Sequence, residues 1–262
     1  MTADGMRTGD PFLVLDSVIK DFGGLRAVNN VSFSAQAGQL IAVIGPNGAG
    51  KTTVFNLITG VYPITSGTVR FKGQVLNGVP QHKVTELGVA RTYQNIRLFK
   101  AMSVLENVLV GTHCRTRSGV FGAMFNTART RREEADSHRR SRELLDFVGL
   151  SKYESEVSSS LPYGDQRRLE IARALATQPS LLLLDEPAAG MNPAETVDLI
   201  ALIRRIRDIG ITVLLVEHDM KLVMQVSENI VVLDHGEKIA EGVPAQIQRN
   251  ERVVEAYLGK AS

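Results

Sequence analysis

The sequence predicts an α/β fold whose central sheet is buried on both faces, and three observations carry that prediction. Leu40 to Ile44 is a continuous apolar run ending in glycines, and from Lys51 to Ile58 apolar residues recur at helical spacing, closing at Gly60. Leu181 to Leu184 is a second such run, ending in Asp185 and Glu186, and a helical pattern from Pro193 to Arg207 stopped by Gly210 follows it. Between these halves, from about Met102 to Leu150, β-character vanishes.

Taken in order, Phe12 to Val43 alternates short apolar runs with Gly and Asn turns and reads as a β-rich opening. Gly67 to Gly73 adds a short strand. Ser103 with Glu106 makes a capping-box pattern at the start of the helical stretch, which has a glycine-bearing break near Ser118 to Gly122. Arg129 to Arg142 interleaves both charge signs, the pattern of a solvated helix; a surface for phospholipid or for a partner's acids is the sharper alternative. Strands return at Ile211 to Val216 and Asn229 to Asp234, the latter turning at His235 and Gly236 into Glu237 to Ala240. Pro244 to Leu258 reads as short amphipathic helices. The expected organisation is one domain over 11–262, with 11–99 and 179–262 as the β-rich core and 100–178 as an inserted helical subdomain.

Composition narrows the class. A chain of 262 residues, 44% hydrophobic, can bury a sizeable core. Its apolar runs fall far short of the roughly 20 residues that a spanning helix needs. Met1 to Asp10 is polar and does not read as a secretory leader. Cys114, the single cysteine, excludes an intramolecular disulfide framework and a cysteine metal cluster. Thirty basic against twenty-eight acidic residues give a net charge of +2, so charge offers no argument for a nucleic-acid partner, and none is expected.

The chemistry is carried by two motifs. Gly45, Pro46, Asn47, Gly48, Ala49, Gly50, Lys51 and Thr52 spell GxxxxGKS/T between a predicted strand and a predicted helix, with Thr53 next along. Glycines let the backbone turn its N–H groups inward onto phosphate oxygens, and the helix start adds partial positive charge. Lys51 is placed for the β and γ phosphates, and the Thr52 hydroxyl for Mg²⁺. The second motif is the apolar strand ending in Asp185 and Glu186, which delivers carboxylates where α/β folds bind ligands. Asp185 is a candidate Mg²⁺ ligand and Glu186 a candidate to polarise the water attacking the γ-phosphate.

Between the motifs, Leu161 to Leu175 reads LPYGDQRRLEIARAL. It resembles the signature segment of the ABC ATPases, usually LSGGQ followed by a helix ending IARAL, and the resemblance runs in motif order from about residue 12 to 258. It implies a P-loop NTPase core of the ABC ATPase type, with an N-terminal antiparallel β region and an inserted helical subdomain. It further implies that Phe22 stacks on adenine, that Gln94 contacts Mg²⁺ and the attacking water, and that His218 contacts the γ-phosphate and orients Glu186. Leu161, Tyr163, Gly164 and Asp165 would complete the ATP site of an opposing subunit. An ordinary core role for Phe22, a solvated loop for Gln94 and a structural role for His218 are the plainer readings of those residue types alone.

The chain departs from the family pattern at Pro162 for serine, Tyr163 for the first glycine, Asp165 for glutamine and Asn192 for aspartate. Losing a hydroxyl removes a hydrogen bond to phosphate, and an added carboxylate is unfavourable there unless it points away. With the segments Asp21 to Val28, Arg91 to Phe99, Glu186 to Pro193 and Glu255 to Gly259, these variants resemble the ATP-binding subunits of bacterial branched-chain amino-acid importers. That likeness implies a homodimer, or a heterodimer with a paralogous ATPase. It also implies integral-membrane permease subunits, a periplasmic solute-binding protein acting indirectly, and a place on the cytoplasmic face of the inner membrane. Ile96, Leu98 and Phe99 are candidates to meet the permease, with burial in the subdomain as the alternative. Other cargo, urea or exported lipid, and a soluble ABC ATPase working on nucleic acid are the competing classes. The last is disfavoured by the absence of long coiled coils and of a second cassette.

Overall fold

In the computed structural model the described residues are 11–112 and 128–258. The expectations attached to Met1 to Asp10, Cys114 and Ser118 to Gly122 fall outside them.

The β-rich opening forms a four-stranded antiparallel sheet. β1 (Leu13–Phe22) pairs with β2 (Leu25–Ala35) on one edge and β4 (Ser66–Phe71) on the other, and β4 pairs with the short β5 (Gln74–Val75). Leu40–Ile44 is β3, set inside a six-stranded sheet ordered β10, β9, β3, β8, β7, β6. Here β6 spans Val89–Arg91, β7 Leu181–Asp185, β8 Thr212–Val216, β9 Asn229–Asp234 and β10 Glu237–Gly242. All neighbours are parallel except β9 with β10.

Every residue of β3, β7 and β8 is buried, as a strand covered on both faces requires. Alternation divides their side chains between two cores. Leu181, Leu183, Leu214 and Val216 enter a core shared with the antiparallel sheet and α1 (Lys51–Ile58). Leu182, Leu184, Val213 and Leu215 enter one built with α3 (Val104–Thr112), α4 (Ala128–Phe147), α5 (Tyr163–Ala176), α6 (Pro193–Asp208) and α7 (Met220–Val226). A smaller cluster joins Ala42, Ile44, Ile230 and Val232 to α7, α8 (Pro244–Ile247) and α9 (Glu251–Leu258). The remaining helix, α2 (Gln81–Glu86), contacts β6.

Local signals act where they stand. The Ser103 N–H donates to Glu106 Oε2 at 2.7 Å and the Glu106 N–H to Ser103 Oγ at 3.2 Å, a reciprocal cap at the start of α3. From Arg131 onward the charged side of α4 is exposed, with Arg139 paired to Asp136 and Arg142 to Glu154, which matches the solvated-helix reading. No described helix is long and apolar enough to cross a membrane.

α3 crosses α5 at Gly111, where a Cβ would collide with the Arg173 carbonyl and lie 2.8 Å from the Ala176 Cβ. The two backbones approach so closely because the side chain is missing. Gly111→Leu is expected to cost on the order of 3 kcal/mol through forced separation of these helices, read as a lowered urea midpoint.

Candidate nucleotide site

β3 ends at Ile44 and the chain turns at once into the glycine loop. Gly45 has φ 149° and a Cβ there would strike the Leu233 carbonyl of β9; Gly50 has φ 99° and a Cβ would lie 2.7 Å from the Ala27 carbonyl of β2. Only glycine fits both places, so the loop curls tightly against strands from both sheets. Gly50 is the N-cap of α1 and offers no side-chain cap, which leaves the first N–H groups of the helix for a ligand. Lys51 Nζ donates to the carbonyls of Gly45 at 2.8 Å and Pro46 at 2.9 Å, folding back over its own loop. Burial pushes its ammonium below the ordinary lysine value, while Glu186 and Asp185 oppose that shift. Phosphate oxygens would restore the lost solvation.

Residues 47–53 line a cavity of about 1080 Å³ together with Gln94, Glu186 and His218. Glu186 follows β7 with φ 48°, a left-handed conformation costly for a non-glycine residue, and is held there by its N–H to the Val216 carbonyl at 2.8 Å. Its two carboxylate oxygens have separate partners: Gln94 Nε2 donates to Oε2 at 2.7 Å, and His218 Nε2 lies 2.6 Å from Oε1. Asp185, buried behind it, receives Arg91 Nη2 on Oδ2 at 2.7 Å, while its buried Oδ1 has no hydrogen-bond partner. An orphaned carboxylate oxygen beside the Thr52 hydroxyl's loop is a donor set suited to a hard divalent cation, and the residues present fit Mg²⁺.

Three further expectations fall elsewhere in the chain. Phe22 ends β1 exposed, its ring edge-on to Tyr62 at 5.1 Å and carrying Lys20 Nζ 4.7 Å from its centroid. Leu161 is buried in the second core, and Tyr163 and Gly164 begin α5. Asp165 is ion-paired to Arg168 at 2.8 Å, so the added carboxylate is taken up by its own helix. None of these residues lines the cavity. Tyr163 and Gly164 pack instead on the segment after Glu186: Gly164 meets the Glu195 side chain and the Tyr163 ring lies beside Gly190. Asn192 caps α6 in a reciprocal box with Glu195, keeping the hydrogen bonding that an aspartate would supply.

Several residues of the site carry no local motif. Leu25, Arg26 and Ala27 from β2 and His235 and Gly236 from the β9–β10 turn also line the cavity. Burial pushes the Tyr257 hydroxyl of α9 above its ordinary value, and the nearby Gly45 N–H opposes that rise. Arg91 reaches Asp185 across a sheet edge, from a strand ninety-four positions away in sequence.

Glu217 carries no motif of its own, and its place beside His218 is the one sequence signal that could have pointed to it. Its buried carboxylate accepts from the N–H groups of Ala188 at 2.7 Å, His218 at 2.9 Å and Asp219 at 3.4 Å, tying the segment after Glu186 to the His218 turn. Burial pushes the carboxyl above its ordinary value; the three N–H groups pull it back and Glu186 adds to the rise. The folded state therefore holds this proton more tightly than the unfolded chain. Its contribution to stability falls as pH rises from the ordinary carboxylate range through the raised value. Glu217→Gln is expected to remove that decline from the unfolding free energy measured by denaturant titration between about pH 4 and pH 8.

Comparison with known proteins gives this geometry a family. Residues 28–189 match the family described as ABC transporter, and residues 237–262 the one described as branched-chain amino acid ATP-binding cassette transporter. The high-affinity branched-chain amino acid transport ATP-binding protein BraF of Pseudomonas aeruginosa is 47% identical over 252 residues, 96% of this chain and 99% of that protein. LivG of Escherichia coli, which carries the same description, is 46% identical over the same shares of both chains. A crystal structure of a nucleotide-free ATP-binding cassette from an ABC transporter superposes with a TM-score of 0.84 at 30% identity, over 96% of this chain and all of that one. The chain belongs to the ABC transporter family, as one of its ATP-binding cassettes.

Proposed function

We propose that this cassette hydrolyses ATP to ADP and phosphate as the motor subunit of a branched-chain amino-acid importer. The observation that carries the reading is Glu186, held between Gln94 and His218 in the lining of the phosphate-loop cavity. A carboxylate with both oxygens fixed can accept a proton from water and cannot swing away, so the base is oriented before ATP arrives. Gln94 and His218 would then share their hydrogen bonds with the attacking water and the γ-phosphate. Bound Mg²⁺, held by Thr52, Asp185 and Gln94, would supply charge neutralisation between the β and γ phosphates. Phe22, exposed at the end of β1, would offer its ring to adenine.

The signature residues Leu161, Tyr163, Gly164 and Asp165 do not reach the cavity of their own chain. We infer that they serve a second subunit, identical or paralogous, across a dimer that sandwiches two ATP molecules. Closure adds donors to the γ-phosphate and excludes water, and hydrolysis removes the contacts that hold the dimer shut. In this reading 100–178 moves as a helical subdomain against 11–99 and 179–262. A groove of about 650 Å³ between the two, lined by Tyr93, Leu98, Phe99, Val110 and Arg173 among others, suits a short helix of a permease subunit. Ile96 is outside that lining. The chain would sit on the cytoplasmic face of the inner membrane through such subunits, with a periplasmic solute-binding protein acting indirectly. The amino-acid cargo rests on the whole-length likeness to BraF and LivG and on the match over 237–262.

The test is co-expression with the permease subunits, purification and reconstitution with a solute-binding protein. The expected result is ATP-dependent uptake of leucine and a turnover that rises with cassette concentration. Glu186→Gln should keep ATP bound and the dimer closed while turnover falls by about a hundredfold or more. Full-rate ATP cleavage by a strictly monomeric chain would overturn the dimer, and uptake of urea, or lipid extraction in place of leucine uptake, would overturn the cargo.

A further inference from the structure

The loop from Thr92 to Phe99, which carries Gln94, is anchored at its two ends: the Thr92 N–H donates to the Leu183 carbonyl of β7 at 2.9 Å, and the Phe99 N–H to Asn107 Oδ1 of α3 at 2.9 Å. Between those ends, main-chain groups of Tyr93, Gln94 and Arg97 take their partners from one buried ion pair on α5. Arg167, fully buried, donates from Nη1 to the Tyr93 carbonyl at 2.6 Å and from Nη2 to the Gln94 carbonyl at 2.7 Å. Its Nη1 also meets Glu170 Oε2 at 2.9 Å. Glu170, 1% exposed, accepts on Oε1 from the N–H groups of Tyr93 at 3.4 Å and Arg97 at 3.3 Å. Two side chains thus hold four main-chain groups of the loop.

The same guanidinium continues toward the family signature. Arg167 Nη2 lies 3.2 Å from the Tyr163 hydroxyl, and the Tyr163 ring rests beside Gly190 in the segment that follows Glu186. Tyr163, Arg167 and Glu170 stand at i, i+4 and i+7, one stripe of α5. Along this stripe Glu186, the Gln94 amide, the Gln94 carbonyl, Arg167, Tyr163 and Gly190 are joined by direct contacts. A buried ion pair is a poor source of stability, because desolvation offsets its attraction, but its fixed fork geometry specifies position well.

We infer that Arg167 and Glu170 are positioning residues: they lock the Gln94 main chain to the first turns of α5, so that the signature helix sets where the Gln94 amide meets Glu186. The inference rests on the hydrolytic role proposed above for Gln94 and Glu186. A tilt of α5, as when a second subunit docks on Tyr163 and Gly164, must carry the Gln94 backbone with it. Register between amide and carboxylate is then lost or gained with α5.

The experiment is a double-mutant cycle on full-length cassette assembled with its permease, reading kcat and KM for ATP. Removing one charge would strand the other, so the pair is replaced together, Arg167→Met with Glu170→Met. The expected result is a KM within about twofold of the parent and a kcat lower by about tenfold in a cassette that still folds and assembles, although four main-chain groups lose their partners and lower the thermal midpoint. In a Gln94→Ala background the same replacement should lower kcat by less than about twofold, because the amide to be positioned is gone. A loss that multiplies undiminished with Gln94→Ala, or no loss at all, overturns the inference while leaving the hydrolytic reading intact. Gln94→Ala with parental kcat overturns both. Should the paired replacement fail to assemble, Arg167→Lys is run through the same cycle: it keeps the charge but loses the planar fork and the reach of the guanidinium, and the same dependence on Gln94 is required of it.

Discussion

Glu186 accepts from Gln94 at 2.7 Å and meets His218 at 2.6 Å, and these two contacts exist only if three separate stretches of chain are held in register. The residue itself sits at the end of β7 in a left-handed conformation, held by the Val216 carbonyl of the neighbouring strand. His218 follows that same strand, β8, and its turn is tied back to the Glu186 segment through the Glu217 carboxylate. Gln94 comes from the third direction, on a loop whose backbone is held by Arg167 and Glu170. The parallel sheet sets the first two partners by register; buried side chains set the third.

Charge is arranged around the cavity in opposed pairs. Lys51 is desolvated and steadied by the carboxylates of Glu186 and Asp185, and Asp185 in turn is neutralised on one oxygen by Arg91. The other Asp185 oxygen and the uncapped start of α1 remain without a protein partner. A buried acceptor suited to a cation, close enough to Lys51 to act on its charge, thus accompanies a row of donors suited to an anion at the start of the same helix. Such groups are expensive to leave unpaired, and a metal–nucleotide complex satisfies both at once.

Much of this was legible in the chain. The apolar runs of β3 and β7 read as strands buried on both faces because no polar residue interrupts them, and both are so buried; Ile211 to Val216, with Thr212 inside it, read as a strand and is buried as fully from Thr212 to Val216. The glycine loop, the Ser103 cap, the Pro193 helix start and the Gly210 stop were equally local signals. Arg91, Glu217, Tyr257, Arg26 and His235 were not legible as site residues, since their roles depend on which strand lies beside which. Asp165 was ambiguous for a related reason: a carboxylate in a phosphate-binding segment is harmful or harmless according to its direction, and the Arg168 partner is a matter of helix geometry.

The chain by itself determined the chemistry: a loop that only glycine can turn, a lysine and a threonine at its end, and two acids at the tip of an apolar strand. These follow from residue type and spacing, because backbone conformation and charge are properties of short segments. Tertiary structure decided the geometry of the candidate catalytic cluster, joining residues 94, 186 and 218 around one carboxylate and hanging the Gln94 loop on a buried pair seventy-odd positions away. Sequence spacing does not encode distance across a sheet, where strand order places neighbours that the chain keeps far apart.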